Sequence, residues 1–218
     1  METIPQQAIL QPLKQKTMIK NNSINSPDMD NVSKNENQVN PVKFSFYAPP
    51  VKNTVPCRVM NLLEVYQLIK SDHYQWQTES LRTITDPIVA RNYKASHFSY
   101  CTFSGTFTKR KNEALIEHSG LITIDFDHVP DVVELKKALL ADANLETELL
   151  FKSPSGDGLK LIISIDLEQG THLEYFLSIS NYIKTTYKLD IDPTGKEVSR
   201  ACFLCFDDEV YINPKHIQ

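Results

Sequence analysis

Residues 121–127, LITIDFD, constrain the fold of this chain more than any other stretch. Side chains of an extended segment alternate, so Ile122, Ile124 and Phe126 fall on one face while Asp125 and Asp127 share the other, about 7 Å apart. The apolar face demands a packed layer, and the carboxylate face demands cations or water. Further strand-like segments are residues 42–47 (VKFSFY), 97–103 (HFSYCTF), 148–152, 159–165 and 200 to about 206. Helical spacing of apolar residues recurs at 61–72, at 77 to about 93, at 131–141 with Pro130 in the first turn, and at 171–187, where Leu173, Phe176, Leu177, Ile183 and Tyr187 line one side. Strands interleaved with helices, without an internal repeat, argue for α/β or α+β layering. The expected class is α+β, a mixed sheet flanked by helices.

Composition narrows the function classes. With 23 Lys and Arg against 27 Asp and Glu, the net charge of −4 excludes a uniformly basic nucleic-acid coat and a polybasic membrane anchor, so any phosphate binding has to be local. Residues 1–41 follow neither a helical nor a strand period and are expected to form a flexible arm, leaving 42–214 as a single domain. No apolar run reaches the roughly 20 residues of a membrane span, and the start METIPQQAILQPLKQK lacks the apolar stretch of a secretory signal. A cytoplasmic protein without a membrane partner is expected. Its four cysteines, Cys57, Cys101, Cys202 and Cys205, are too sparse for a disulfide framework and are read as reduced thiols.

Three segments could carry chemistry. The Asp125/Asp127 pair suits a hard divalent ion, which takes oxygen ligands and is usually held by one or two carboxylates plus substrate phosphates; a solvated strand end explains an isolated D-x-D equally well. SPSGDGLKLII, residues 153–163, is a Pro- and Gly-rich turn feeding a strand in which Lys160 and Ile162 face one way and Leu159, Leu161 and Ile163 the other. Ser153, Ser155, Gly156, Gly158 and Lys160 could cradle a phosphate, yet the segment matches neither a P-loop nor a dinucleotide fingerprint, and a plain hairpin turn fits it as well. In LDIDPTGKEVSRACFLCFD, residues 189–207, Asp190 and Asp192 precede a Pro-Thr-Gly turn and Arg200 follows eight residues after Asp192. That spacing can deliver a third carboxylate and a phosphate-binding cation, or a surface salt bridge of slight energetic weight.

Other features weigh less. Cys202-x-x-Cys205 has no second half, and residues three apart in a strand face opposite sides, which favours core thiols over zinc. The six histidines lack ligand spacing, although His118 and His128 flank the Asp pair. Lys109, Arg110 and Lys111 form the densest cation cluster, a solvated loop or a contact to template or triphosphate. Tyr47, Trp76, Phe103 and Phe107 could stack on bases but are assigned to core packing.

The order of these motifs, FSGTF, HSGLITIDFDH, SPSGDGLK, IDPTGKEVSR, CFLCFD and a closing YINP, resembles the VirE N-terminal-domain family of bacterial and mobile-element proteins over about residues 42–214. That family is similar to a divergent branch of the archaeo-eukaryotic primase superfamily, marked by an h-h-D-h-D strand, a small-residue turn followed by S-x-H or G-x-H, and a later h-D with a downstream Arg. The middle motif departs from the pattern, because Lys160 stands where the superfamily usually has His. Lysine can hold a phosphate as a point charge but cannot relay a proton as imidazole does at neutral pH.

The resemblance implies an RRM-like, primase-polymerase core and a nucleotidyl-transfer site in DNA replication of a bacterial chromosome or mobile element. Asp125, Asp127 and Asp192 would be the catalytic carboxylates holding Mg²⁺ or Mn²⁺, in the two-metal manner of polymerases. Ser153, Ser155, Gly156, Gly158, Lys160 and Arg200 would grip a nucleoside triphosphate, and Arg110 would face nucleotide or template. The implied partners are a nucleoside triphosphate, single-stranded nucleic acid and a helicase in trans. Two other readings use the same residues: a catalytically inactive module that binds nucleotide or single-stranded DNA and recruits replication partners, and a metal-dependent nuclease.

Overall fold

The computed structural model describes residues 42–217, so the expected N-terminal arm lies outside the described residues. Its elements, in chain order, are β1 (Lys43–Tyr47), β2 (Arg58–Asn61), α1 (Leu62–Lys70), α2 (Gln75–Thr83), α3 (Pro87–His97), β3 (Tyr100–Thr102), β4 (Gly105–Phe107), β5 (Leu115–His118), β6 (Leu121–Phe126), α4 (Val132–Ala141), β7 (Thr147–Lys152), β8 (Leu159–Ser164), α5 (His172–Tyr187), β9 (Cys202–Phe203) and β10 (Tyr211–Ile212). The α+β class holds. In place of one mixed sheet, the described strands form three sheets, ordered β2-β1-β3-β9, β10-β7-β8-β6 and β4-β5, with antiparallel pairing throughout.

Local chemistry sets the helix boundaries. Asn61 and Glu64 form a capping box that starts α1, and Thr171 with Glu174 does the same for α5. The single helix expected over 77–93 is two. Asp86 accepts hydrogen bonds from the N–H groups of Ile88 and Val89, and Pro87 occupies the first turn of α3, where its missing N–H costs nothing. Pro130 falls outside α4, whose N-cap is Asp131. Replacing Asp86 with alanine should lower stability by about 1 kcal/mol in urea unfolding, the usual worth of an N-cap.

The sheet containing β6 is covered on both sides, which is why every residue of β6 is buried. Ile122, Ile124, Phe126, Leu150, Leu159, Leu161 and Ile163 pack beneath α4 and α5. Leu121, Leu149, Phe151 and Ile162 on the opposite face join Phe44, Phe46, Cys101 and Cys202 of the first sheet, with Val65, Ile69 and Leu81 from α1 and α2. Along this second face, Leu121 gives way to Thr123 and then Asp125, and Ile162 gives way to Lys160, so the apolar core ends in charge.

Two side-chain expectations change. On α5, Tyr175 and Ile179 join Phe176 and Ile183 in the core, whereas Leu173 and Leu177 are exposed. Tyr47, Phe103 and Phe107 are core residues as expected, but Trp76 is exposed because α2 turns Thr78 and Leu81 inward. The strand expected from Arg200 shortens to Cys202–Phe203, and Cys101, Cys202 and Cys205 are buried free thiols.

Candidate functional site

Strand register creates the centre of the site. Asp125 on β6 is the cross-strand partner of Lys160 on β8, and directly opposed residues bring their side chains together on one face. Lys160 Nζ lies 3.1 Å from Asp125 Oδ1 and 3.6 Å from Asp127 Oδ1. The first contact has hydrogen-bond length but not hydrogen-bond alignment, so Asp125 Oδ1 is a buried oxygen held by charge with no directed donor.

Arg200 completes the arrangement. Its Nε donates to Asp125 Oδ2 at 3.1 Å, and its Nη2 reaches both Asp125 Oδ2 and Asp192 Oδ2 at 2.5 Å. Asp192 is fixed from behind: its N–H donates to the Asp125 carbonyl at 3.1 Å, and its Oδ1 accepts from the Thr194 N–H and hydroxyl at 2.9 and 2.8 Å. Three carboxylates from two distant segments therefore meet around an ammonium and a guanidinium. The side chains grade from interior to surface, with Asp125 at 3% exposure, Arg200 at 25% and Asp127 at 54%.

The electrostatics follow from that packing. Burial is the largest single influence on Lys160 and Arg200 and opposes their charges, but Asp125 together with Asp127 for Lys160 and with Asp192 for Arg200 more than offsets it, so both pKa values are raised. Burial likewise opposes ionisation of Asp192, yet the Thr194 donors, Arg200 and Lys160 hold its carboxyl below the usual range. Cys202, buried beneath the cluster, is pushed up by burial and by Asp125, and so remains a thiol.

Five of the sequence candidates, Asp125, Asp127, Asp192, Lys160 and Arg200, are thus brought together. The Gly-rich turn stands beside them, and two of its amides close it on itself: the Ser153 N–H donates to the Gly158 carbonyl at 2.8 Å, and the Gly156 N–H to the Ser153 carbonyl at 2.9 Å. Ser153 is buried and Ser155 exposed. Gly156 has φ +88°, which the turn requires, and Gly158 lies so close to β6 that a Cβ there would sit 2.1 Å from the Phe126 carbonyl oxygen. Arg110 stands apart from the cluster. Its guanidinium lies over the Tyr100 ring, 4.9 Å from the centroid, and donates to the Val51 carbonyl at 3.1 Å. His128, in a left-handed conformation at φ +54°, meets Asp157 at 2.6 Å, whereas His118 pairs with His172.

Two cations escaped the sequence reading. Lys94 on α3 has its pKa lowered by burial and by the charge of Lys160, against Asp127, Asp157 and Asp125, which places it in the field of the cluster. Arg82 on α2 donates to the Pro154 and Ser153 carbonyls at 3.2 and 3.3 Å, clamping the turn from outside. Nothing local marks either one, because both are ordinary helix-surface residues whose neighbours are supplied by the far end of the chain.

The oxygen donors are of the type that Mg²⁺ and Mn²⁺ take. As arranged, however, each carboxylate already faces Lys160 or Arg200, and among the described residues no group of three Asp, Glu, His or Cys side chains is spaced to hold a metal ion. These residues do not fit a resident metal. Among the described residues no helix is long and apolar enough to cross a membrane.

In comparison with known proteins, a family model described as BT4734-like, N-terminal domain, matches residues 92–212, a span that includes all three carboxylates, Lys94, Lys160 and Arg200. No curated protein and no solved structure matches the chain.

Proposed function

Because the chain belongs to the BT4734-like, N-terminal domain family, which is the VirE N-terminal-like family, we propose that it is a nucleoside-triphosphate-binding module with a primase-polymerase-like site, serving DNA replication of a chromosome or mobile element. The observation that carries the reading is the sharing of Asp125, Asp127 and Asp192 between Lys160 and Arg200. The pairs engage Arg200 only through Nε and Nη2, so an incoming phosphate would take the remaining N–H donors of the guanidinium and of the Lys160 ammonium while the buried pairs with Asp125 stay in place. Lys94, whose charge feels Lys160, Asp127, Asp157 and Asp125, adds a third positive charge near them.

A divalent ion enters this scheme only as the companion of the triphosphate, with Asp127 as its exposed neighbour. Single-stranded nucleic acid would approach along the same local cations despite the net negative charge, and a helicase would act in trans. The test is the melting temperature of the full chain with ATP or a deoxynucleoside triphosphate and Mg²⁺. At 100 times the dissociation constant, binding adds about 2.7 kcal/mol, a rise of several degrees for a domain of this size. The rise should vanish in Lys160→Met and shrink in Lys94→Met, each judged against its own ligand-free value. No shift in the wild type with any triphosphate refutes the reading.

A second reading, nucleotidyl transfer of the primase-polymerase type, is favoured by Asp125 Oδ1, a buried carboxylate oxygen without a directed donor. It predicts nucleotide incorporation on a single-stranded template with Mg²⁺ or Mn²⁺ present, lost in Asp125→Ala. Degradation of a labelled oligonucleotide without added nucleotide would instead mark a nuclease.

A further inference from the structure

A second polar assembly lies behind the charged cluster and was not paired by sequence spacing. The Gly120 N–H donates to His118 Nδ1 at 3.0 Å, His118 Nε2 meets His172 Nδ1 at 3.1 Å, and His172 Nε2 meets the Gly195 carbonyl at 3.1 Å. A backbone N–H can only donate and a backbone carbonyl only accept, so the two ends dictate the middle. Both imidazoles must be neutral and must carry their proton on Nε2. In that state every nitrogen of both rings is satisfied, and an added proton on either ring would set two N–H groups against each other.

The far end of this relay is the turn that carries Asp192. Gly195 belongs to the 3-10 turn Pro193–Lys196, and its own N–H returns to the Asp192 carbonyl at 3.2 Å. A Cβ at Gly195 would lie 2.7 Å from the Phe176 ring and 3.0 Å from the Thr123 carbonyl oxygen, so the turn is wedged between α5 and β6 with little room to shift. Asp192 and Arg200 flank this segment and close on Asp125. We propose that His172, its tautomer fixed by His118, is a positioning residue that holds the Asp192–Arg200 limb against Asp125.

A pH dependence follows. Burial, and then the charge of His172, press the His118 pKa down to about 4; burial also lowers that of His172, against the Gly195 carbonyl and Glu197. Among the described residues, Glu197 is the charged side chain acting on these rings, each of which otherwise faces the other and the backbone of Gly120 or Gly195. In the unfolded chain both rings titrate near 6.5. Between about 6.5 and 4 the unfolded state therefore binds more protons, so the stability contributed by the neutral pair is complete above 6.5 and is lost as pH falls through that window.

The functional consequence rests on the nucleotide reading, whereas the positioning itself does not, and the experiment separates the two. In the ¹⁵N-labelled full chain at pH 7, both rings should show the Nε2–H tautomer, and the Arg200 Nε–H resonance should move together with the two imidazoles as pH falls from 7 through about 4, where His118 takes up its proton. An Nδ1–H tautomer at either ring, or an Arg200 resonance indifferent to their titration, overturns the proposal without any variant having to fold. In His172→Phe the Arg200 resonance should shift and Mg²⁺-ATP should bind about tenfold more weakly, the worth of one lost buried hydrogen bond. His172→Gln, which can still donate to the Gly195 carbonyl, should recover most of that loss. Unchanged ATP binding in His172→Phe, beside a wild type that binds, counts against the proposal. A wild type that binds no triphosphate, but whose Arg200 follows the histidines, overturns the nucleotide reading and supports the positioning.

Discussion

Replacing Arg200 with methionine is expected to lower the unfolding free energy by about 3–5 kcal/mol, the usual effect of removing one partner from a buried ion pair. The reason is asymmetry. Arg200 gives Asp125 two hydrogen bonds and Asp192 one, and without it a carboxylate at 3% exposure keeps only the off-line charge contact with Lys160. The exposed pair Lys184–Asp190, at 2.8 Å, is the matched control; Lys184→Met should change stability by less than about 1 kcal/mol. Urea unfolding of the three proteins at pH 7 decides the matter. A loss below about 1 kcal/mol in Arg200→Met would mean that Asp125 is solvated or protonated, and the interlocked site would have to be abandoned.

Gly158→Ala should cost about 3 kcal/mol, at the upper end of what overpacking does. The new Cβ would lie 2.1 Å from the Phe126 carbonyl oxygen and 3.2 Å from its carbon, and this obstacle is strand backbone rather than a side chain able to turn away. The turn would be forced off β6, carrying Lys160 away from Asp125, so triphosphate-induced stabilisation should fall along with urea resistance. Gly170→Ala is the control, since its nearest neighbours lie at 3.5 Å, ordinary contact, and little change is expected. Equal stability of the two variants would show that the turn is not pressed against β6.

Much of this site was legible before folding. The alternation in LITIDFD puts Ile122, Ile124 and Phe126 beneath the helices and Asp125 on the other face, and the same rule orients Lys160 and Ile162 against Leu159, Leu161 and Ile163. The break between α2 and α3 at Asp86-Pro87 rests on local cap chemistry, although apolar spacing runs straight across it. The exposure of Leu173, Leu177 and Trp76 was not readable, because a helix with apolar residues on several sides does not say which side meets a sheet. SPSGDG by itself fits a phosphate cradle or a plain hairpin turn; that Gly158 packs closely on β6 and that the Ser153 and Gly156 amides close the turn depend on neighbours the sequence does not name.

What the sequence determined by itself is periodic and local: which residues alternate, which cap a helix, and which carboxylates share a strand face, since bond geometry repeats every two or 3.6 residues whatever surrounds it. Tertiary structure alone decided the partners. That Asp125 faces Lys160 depends on the register of β6 with β8, that Arg200 spans Asp125 and Asp192 depends on a turn wedged against α5, and that His118 meets His172 depends on a hairpin and a helix 54 residues apart in the chain. Charge and hydrogen bonding act over a few ångströms of space, and only the packed core brings such distant residues within that range.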